Sequence, residues 1–219
     1  TKDFYELKKL DPGFKIVFDN ADMILPANWN EICDLFDSYE DNGAKKLNKF
    51  MEDAEKKYSI GLRFLYNSPG LSVTELLKKD VLFNANKLQL LTSYRKHIKR
   101  HFKDPILISL LEFPVLFLGT TAESAPALYS LMAYSGIKQG TFYPIGGFAK
   151  VIDSMAEVCK NNGVKFLLEE QVTKINVSNK TVESVSTKTQ ELAANFVVGA
   201  ADYAHIESKL LDTKYQNYH

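Results

Sequence analysis

The segment from Tyr143 to Asp202 constrains the fold of this chain more than any other part of its sequence. It opens with Tyr-Pro-Ile-Gly-Gly, continues with an amphipathic helical pattern that Asn162-Gly163 should terminate, and then shows apolar, strand-like runs separated by turn signals. The last apolar run ends on the small residues Gly199 to Ala201. A helix closed by glycine and followed by apolar strands is typical of α/β proteins that bind nucleotides. We therefore expect a nucleotide-binding unit in the last third of the chain.

The strand predictions in this segment rest on alternating polarity and on β-branched composition. Phe148 to Cys159 carry a helical stripe, and Ser178 to Lys180 supply a turn signal. Extended structure is predicted for residues 140–145, 164–168, 171–177, 181–187 and 194–199. One helix and several short strands thus make a compact α/β end without an internal repeat.

The first two thirds of the chain predict a hairpin followed by helices. Phe14 to Phe18 alternate apolar and polar residues, and a turn then leads into Met23 to Leu25. Helices are predicted for residues 28–43, 44–65, 72–80, 86–102 and 105–114. Three of them begin with an N-terminal capping sequence, at Asn28, Ser72 and Asp104. The predicted fold class is α+β, with a mostly helical domain and small β-hairpin followed by a partial α/β domain.

Composition and charge indicate a globular protein and give no sign of a nucleic-acid-binding or membrane-spanning one. Hydrophobic residues make up 45% of the chain, enough for a core, and 27 basic residues balance 27 acidic ones, so no charge surplus indicates nucleic acid. Cys33 and Cys159 fall at apolar helical positions, which favours a reducing, cytoplasmic location. The sequence starts without an apolar leader, and Glu112 and Pro114 interrupt its longest apolar run, so no membrane span is expected.

His97 and His101 stand four residues apart in a predicted helix, the spacing at which two imidazoles can share a metal ion. Ile98 occupies the place of the glutamate that a zinc-protease motif requires. Because lysines and arginines surround both histidines, we expect a solvated basic face and no metal site. The basic cluster precedes the apolar run Ile106 to Leu118. A cationic helix beside an apolar segment is compatible with an anionic membrane surface, but a charged outer face followed by a buried helix explains the same order and is favoured.

A series of sequence blocks carries a family resemblance. The blocks are Phe102-Lys-Asp-Pro, Leu118-Gly-Thr-Thr, Ala127-Leu-Tyr-Ser-Leu, Tyr143-Pro-Ile-Gly-Gly-Phe, Gly163-Val, Gln171-Val-Thr-Lys-Ile and Val198-Gly-Ala-Ala-Asp. In order and spacing they resemble the bacterial phytoene desaturase and carotenoid desaturase family of FAD-dependent enzymes, which are related in fold to amine oxidases. The resemblance implies a Rossmann-like FAD-binding domain that lacks its N-terminal glycine-rich loop here, so we expect an interior piece of a longer protein.

The same resemblance implies cofactor-binding residues in the last third. It assigns Val172 a contact with the adenine end of FAD through its backbone, and it implies that Gly199, Ala200 and Ala201 let the chain pass close to the cofactor. The family more often has asparagine at position 200 and proline at the position of Tyr203. From its pattern alone, Val172 is equally well an ordinary strand residue.

A second implied group lies where the substrate region and the flavin domain meet. Tyr143, Gly146 and Gly147 match this block and would face the isoalloxazine ring and the polyene, although their pattern alone indicates only a turn into a helix. Aromatic residues of the helical part, Phe117, Tyr129 and Tyr134, would line a long apolar channel for the substrate, or else form a simple core. No catalytic residue can be assigned.

The resemblance implies removal of hydrogen from a carbon–carbon bond of a long apolar isoprenoid, with hydride passing to the flavin. It places the substrate-binding domain at residues 1–139 and the partial FAD-binding domain at 140–219. It also implies peripheral contact with the inner face of a membrane. Two alternatives stay open, a non-catalytic module that binds an apolar ligand or partner, and a related amine-oxidase-type flavoenzyme.

Overall fold

The computed structural model describes residues 3–19, 22–67 and 88–217. The chain divides into two compact units, Thr1–Met155 and Ala156–His219. Helices dominate the first unit and antiparallel strands the second, which confirms the predicted α+β class. The functional boundary between residues 139 and 140 stays a prediction.

The predicted hairpin is confirmed in the first unit. Strand β2 (Phe14–Val17) pairs antiparallel with β3 (Asp22–Leu25). Met23 and Leu25 on β3 are each only 2% exposed, whereas Ile24 between them faces outward. The alternation that predicted the strand therefore corresponds to one packed face and one open face.

A second strand pair was not predicted. Strand β1 (Leu7–Lys9) pairs antiparallel with β4 (Phe142–Pro144), and the Ile145 N–H extends the ladder by donating to the Glu6 carbonyl at 2.9 Å. The three residues of β1 are all exposed, so they show no alternation from which a strand could be predicted.

Most of the first unit is helical, as predicted. Its helices are α1 (Trp29–Tyr39), α2 (Gly43–Asn67), α3 (Tyr94–Lys99), α4 (Pro105–Glu112), α5 (Ser130–Ala133) and α6 (Gly147–Asn161), the last of which continues into the second unit. The Asn28 side chain accepts the Asn30 N–H at 2.8 Å, and Asp104 accepts two N–H groups at the start of α4. The predicted caps of α1 and α4 are therefore confirmed. Two 3₁₀ turns lie at Phe113–Leu118 and Ala127–Tyr129, and a wider π-helical turn follows α5 at Tyr134–Gln139.

The predicted helix over residues 86–102 is wrong in its length, because α3 begins only at Tyr94. Gln89 has a φ of 50°, which no helix accommodates, and the described part of the segment before α3 turns there. The first N–H groups of α3 instead find distant partners, with Tyr94 donating to the Ala125 carbonyl at 2.8 Å. The predicted helix at 72–80 lies outside the described residues.

The core of the first unit joins its helices through aromatic rings. Phe36 and Phe50 each meet Phe102 edge-to-face, at centroid distances of 5.6 and 6.1 Å. All three side chains are fully buried, and Ile98 and Leu107 are buried beside them. Such edge-to-face contacts stabilise a core beyond the area that they bury.

Glu40 connects the end of α1 to the turn between α3 and α4. Its carboxylate accepts the N–H groups of Lys103 and Asp104 at 2.8 and 3.0 Å and pairs with Lys46. Burial opposes this charge, but hydrogen bonds from Lys46 and from the two N–H groups outweigh burial and lower the pKa of Glu40 to about 2.

We therefore expect acid to destabilise the first unit through Glu40. Because the pKa is lower in the folded than in the unfolded chain, the stabilisation is present above pH 4.5 and is lost as the pH falls toward 2. Chemical unfolding measured from pH 6 to about 2.5 should show a shallower pH dependence for Glu40→Gln than for the wild type. The exposed Glu52→Gln is the matched control. Parallel curves for the wild type and Glu40→Gln would contradict this account.

The second unit is built on a three-stranded antiparallel sheet. Its strands are β5 (Val172–Ser178), β6 (Thr181–Thr187) and β7 (Glu191–Ala193), in that order. Asn179 and Lys180 both have positive φ in the turn between β5 and β6, which is characteristic of a type I′ hairpin. Two of the predicted strands, 171–177 and 181–187, and the turn between them are confirmed.

The other two strands predicted in this region are wrong, because residues 164–168 and 194–199 form no regular structure. A strand requires a neighbour for its backbone groups, and no described strand pairs with either run. Leu168, Phe196 and Val198 are about four-fifths exposed, at 80%, 81% and 78%. The strand predictions were based on apolar composition alone. They failed because no described strand pairs with these two runs.

Candidate functional site

The turn from β4 into α6 brings Tyr143 and Gly147 together. Gly146 and Gly147 have φ values of 89° and 81°, a region that favours glycine, so the turn depends on both residues. A Cβ atom at Gly147 would lie 3.3 Å from the Tyr143 hydroxyl oxygen. The Tyr143 ring meets Phe148 edge-to-face at 5.7 Å. The Tyr143 side chain thus packs beside Gly147, in a turn where neither glycine has a side chain.

This turn begins an exposed apolar strip. Tyr143 is 42% exposed and Phe148 69%, and the strip continues along α6 through Ile152 and Met155, each 65% exposed. Amphipathic helices usually bury such a face. The strip therefore offers an apolar surface to a cofactor, a substrate or another part of the protein.

In the second unit, Val172 lies at the start of β5, where the strand pairing is irregular. Val172 is opposite Thr187, but the register shifts before Lys174. The Thr173 hydroxyl donates to the Ser186 carbonyl at 3.2 Å. Such a bulge redirects backbone groups out of the ladder, which suits a residue predicted to contact a ligand through its backbone.

Gly199, Ala200 and Ala201 lie in the irregular segment before Asp202, whose side chain accepts the N–H of His205 at 2.9 Å and begins helix α7 (Tyr203–His205). A Cβ atom at Gly199 would come within 2.6 Å of Ile206 Cδ1, so internal packing already explains that glycine. Ala200 and Ala201 are exposed and present only methyl groups. Gly199 is exposed as well, so all three predicted residues lie at the surface.

The predicted substrate residues of the first unit occupy two different environments. Tyr129 and Tyr134 pack against the core, and the Tyr134 hydroxyl donates to Glu55 at 2.8 Å, which raises its pKa. Phe117 instead lies on the surface, 75% exposed, and contacts Phe113 at 5.5 Å. The environments of the two tyrosines and of Phe117 therefore differ, and their role in lining a substrate channel stays a prediction.

A buried charged cluster lies in the first unit, and sequence reasoning missed it. Lys57 is fully buried, and its Nζ contacts Asp53 at 2.6 Å, Gln89 at 3.2 Å and the Ala127 carbonyl at 3.3 Å. His97 Nε2 lies 3.2 Å from Asp53 and 3.5 Å from Lys57 Nζ. The i, i+4 spacing of Asp53 and Lys57 was the available signal, but it does not indicate burial.

The expected solvated face around the two histidines is therefore wrong for these side chains. His97 is only 3% exposed, and the ring of His101 packs on Phe50 at 5.7 Å. Burial and the neighbouring charge of His97 lower the pKa of His101. Within the described ranges, no group of three or more potential ligand side chains is arranged to hold a metal ion. The histidines pack inward because α2 supplies both an aromatic ring and a carboxylate.

A comparison with protein families decides the assignment. The model of the flavin containing amine oxidoreductases matches residues 11–217. This chain belongs to that family. The flavin cofactor predicted from the sequence is thus the cofactor of the family.

Relatives of this amine oxidoreductase chain include several carotenoid enzymes. It is 28% identical to a carotenoid 3,4-desaturase of Haloarcula japonica over 99% of this chain and 44% of that protein. It is 24% identical to a phytoene desaturase of Fusarium fujikuroi, over 96% of this chain and 38% of the relative. A 4,4'-diapophytoene desaturase of Staphylococcus aureus is 22% identical, with 96% and 42% covered. The predicted resemblance is confirmed, and the chain spans less than half the length of these relatives.

Proposed function

We propose that this chain forms part of an FAD-dependent carotenoid desaturase, which removes hydrogen from a long isoprenoid polyene. The observation that carries the proposal is the family match across residues 11–217 together with relatives that are named as desaturases. Residues 1–139 would form the substrate-binding domain and residues 140–219 part of the FAD-binding domain.

The residues present fit a flavin in two places. The backbone at the bulge next to Val172 and the methyl-only segment Ala200–Ala201 suit close contact with the nucleotide part. The turn at Gly146–Gly147 suits the approach of a flat ring, because its backbone carries no Cβ. Bound FAD would supply the acceptor for the hydrogen that leaves the substrate.

The remaining roles in the reaction belong to apolar side chains. Tyr143 and Phe148 form an exposed edge-to-face pair at the glycine turn, and such a pair can position a polyene and exclude water from it. Tyr129 and Tyr134 would support the substrate region from the core side. The chemistry itself requires no charged group at this turn, since the flavin carries it.

The proposal includes the partners and the location. We propose a cytoplasmic protein in peripheral contact with the inner face of a membrane. The membrane contact is proposed because a long polyene dissolves in lipid and not in water. No nucleic acid is proposed as a partner, because the charges balance. Within the described residues, no helix is both long and apolar enough to cross a bilayer.

The full-length protein loaded with FAD provides the direct test. We expect the flavin to become reduced under anaerobic conditions when liposomes carry phytoene or another partly desaturated carotene, and the product should gain a conjugated double bond. Empty liposomes and liposomes with a saturated hydrocarbon of equal length are the controls. A flavin that stays oxidised with every carotene, but is reduced by an amine, would replace this proposal with an amine oxidase.

We expect Ala200→Trp to weaken FAD binding by the full-length protein by about tenfold or more, which corresponds to about 1.4 kcal/mol. Ala200 is exposed, so the indole can be accommodated in the fold while it fills the space that the cofactor needs. Ala204→Trp is the matched control, because Ala204 is also exposed and lies beyond the small-residue segment. Flavin fluorescence in an equilibrium titration gives the affinity. Equal affinity for both variants would argue against a cofactor at Ala200.

A further inference from the structure

Glu170 lies at the open end of the β5–β6 ladder, two residues before Val172. Its Oε1 accepts the Thr189 hydroxyl at 2.5 Å, and Thr189 lies two residues after Thr187, the ladder partner of Val172. In an antiparallel pair, the residues two positions beyond an opposed pair form the next pair on the same face of the sheet. Strand β5 begins at Val172 and β6 ends at Thr187, so the side chains of Glu170 and Thr189 continue the pairing where the backbone ladder stops.

The turn between β6 and β7 holds Thr189 in a fixed position. The N–H groups of Thr189 and Gln190 both donate to the Thr187 hydroxyl oxygen, at 3.2 and 3.1 Å. The Thr187 N–H donates in turn to the Gln190 carbonyl at 2.8 Å. A threonine that binds the backbone of its own turn in this way restricts the turn to one conformation. The Thr189 hydroxyl is therefore a well-placed donor for Glu170.

Glu170 differs from the exposed glutamates of the second unit. It is half-buried, and its Oε2 is enclosed without a hydrogen-bond partner among the described residues. Hydrogen bonds from Thr189, and also from Thr187 and Gln190, lower the pKa of Glu170. An enclosed carboxylate is costly to keep unless hydrogen bonds stabilise its charge, so the contact with this turn accounts for its position.

The backbone at Val172 depends on the register of a single pair. Val172 lies opposite Thr187, but the next pair along the strands is Lys174 with Ser186, which is one residue out of step. Continued in the register of Lys174, the ladder would place Val172 opposite Lys188 instead. A slip of one residue turns a strand residue to the other face of the sheet. One pair at the end of a strand is weak by itself, so its register requires a further contact.

We propose that Glu170 is a positioning residue for FAD, because its hydrogen bond to Thr189 fixes the register in which Val172 presents its backbone. This role rests on the proposed function, which places the nucleotide part of FAD at the bulge next to Val172. Glu170 and Thr189 act through the backbone of Val172 and do not themselves contact the cofactor. The pair joins the entrance of β5 to the β6–β7 turn, and the single register that results is the one that leaves the bulge at Thr173.

The first test measures FAD affinity of the full-length apoprotein by fluorescence titration. We expect Glu170→Leu to weaken binding about fivefold or more, since the hydrogen bond is lost. Thr189→Val removes the donor at nearly constant size and should have a similar effect, and the two changes together should weaken binding no more than either alone. Glu170→Gln and Thr189→Ser keep an acceptor and a donor, so both should bind nearly as the wild type does. Glu183→Leu, at an exposed position of β6, is the matched control.

The second test follows hydrogen exchange in the apoprotein and is independent of the cofactor. Amides of residues 171–174 should exchange faster in Glu170→Leu and Thr189→Val, and at the wild-type rate in Glu170→Gln and Thr189→Ser. Unchanged exchange in Glu170→Leu, or faster exchange with unchanged FAD affinity, would overturn the proposal. A Glu170→Gln variant that binds FAD as weakly as Glu170→Leu would assign the carboxylate a direct contact instead. If the wild type binds no FAD, the proposed function fails and the positioning role with it, whereas the exchange rates still decide whether Glu170 fixes the register.

Discussion

Asp53→Ala is expected to lower the free energy of unfolding of the first unit by about 3 kcal/mol, because it leaves a buried ammonium group without its counter-charge. Lys57 is fully buried, and burial already lowers its pKa. Burial also opposes the charge of Asp53, but hydrogen bonds from His97 and Lys57 outweigh burial and bring its pKa to about 2. Two other partners of Lys57, the Gln89 side chain and the Ala127 carbonyl, are neutral and cannot replace the carboxylate.

Two further variants separate the charge from the loss of side-chain volume. Glu52→Ala removes an exposed carboxylate from the neighbouring position of α2 and should change stability by less than about 0.5 kcal/mol. Asp53→Ala combined with Lys57→Met should recover much of the loss, since replacing both charges of a buried pair is often nearly neutral. Urea unfolding followed by the fluorescence of Trp29 measures all three. An Asp53→Ala variant as stable as Glu52→Ala would show that the cluster contributes nothing.

Gly43→Ala is expected to destabilise the first unit by about 3 kcal/mol or more through a backbone collision. A Cβ atom at Gly43 would lie 2.1 Å from the Phe36 carbonyl oxygen and 2.9 Å from the Asp37 nitrogen. Both are main-chain atoms of α1, so neither can rotate away as a side chain would. The connection between α1 and α2 would have to open, which would disturb the burial of Phe36.

Gly61→Ala is the matched control, because Gly61 lies in the same helix as Gly43. The nearest atom to its added Cβ is Leu131 Cδ2 at 3.4 Å, an ordinary contact with a flexible side chain. Since alanine favours helix over glycine by up to about 1 kcal/mol, we expect Gly61→Ala to be neutral or stabilising. The same unfolding measurement compares the two, and similar effects at both positions would rule out the close approach at Gly43.

The sequence predicted correctly the helix caps and the β-turn that are stabilised by contacts between residues close together in the chain. The Asn28 and Asp104 caps and the Asn179-Lys180 turn are each satisfied by neighbours within a few residues, so the sequence contains the whole interaction. The predictions for residues 164–168 and 194–199 were wrong because strands depend on a partner that apolar composition does not specify. The helix before Tyr94 was predicted too long because distant carbonyls take the first N–H groups of α3.

Less of the candidate site than of the fold could be predicted from the sequence itself. Val172 and the glycines at 146 and 147 came from the family resemblance, since a strand residue and a turn look alike whether or not a cofactor is near. The burial of His97 depends on Asp53, which is far away in the sequence, so a cationic helix looked uniformly solvated. The exposure of Phe117 was unpredictable for the same reason, because the chain packs through Val115 instead.

The pairing of β1 with β4 has a consequence for the order of folding. It joins the beginning of the first unit to Phe142–Pro144, directly before the glycine turn, so we expect this long-range pairing to close late, after the intervening helices have shortened the distance between the two strands. The sheet β5–β6–β7 has only hairpin connections and can form early. Hydrogen exchange during refolding should therefore protect the amides of β5 and β6 before that of Ile145. On this order of folding, the Tyr143–Gly147 turn is completed after most of the helices of the first unit have assembled.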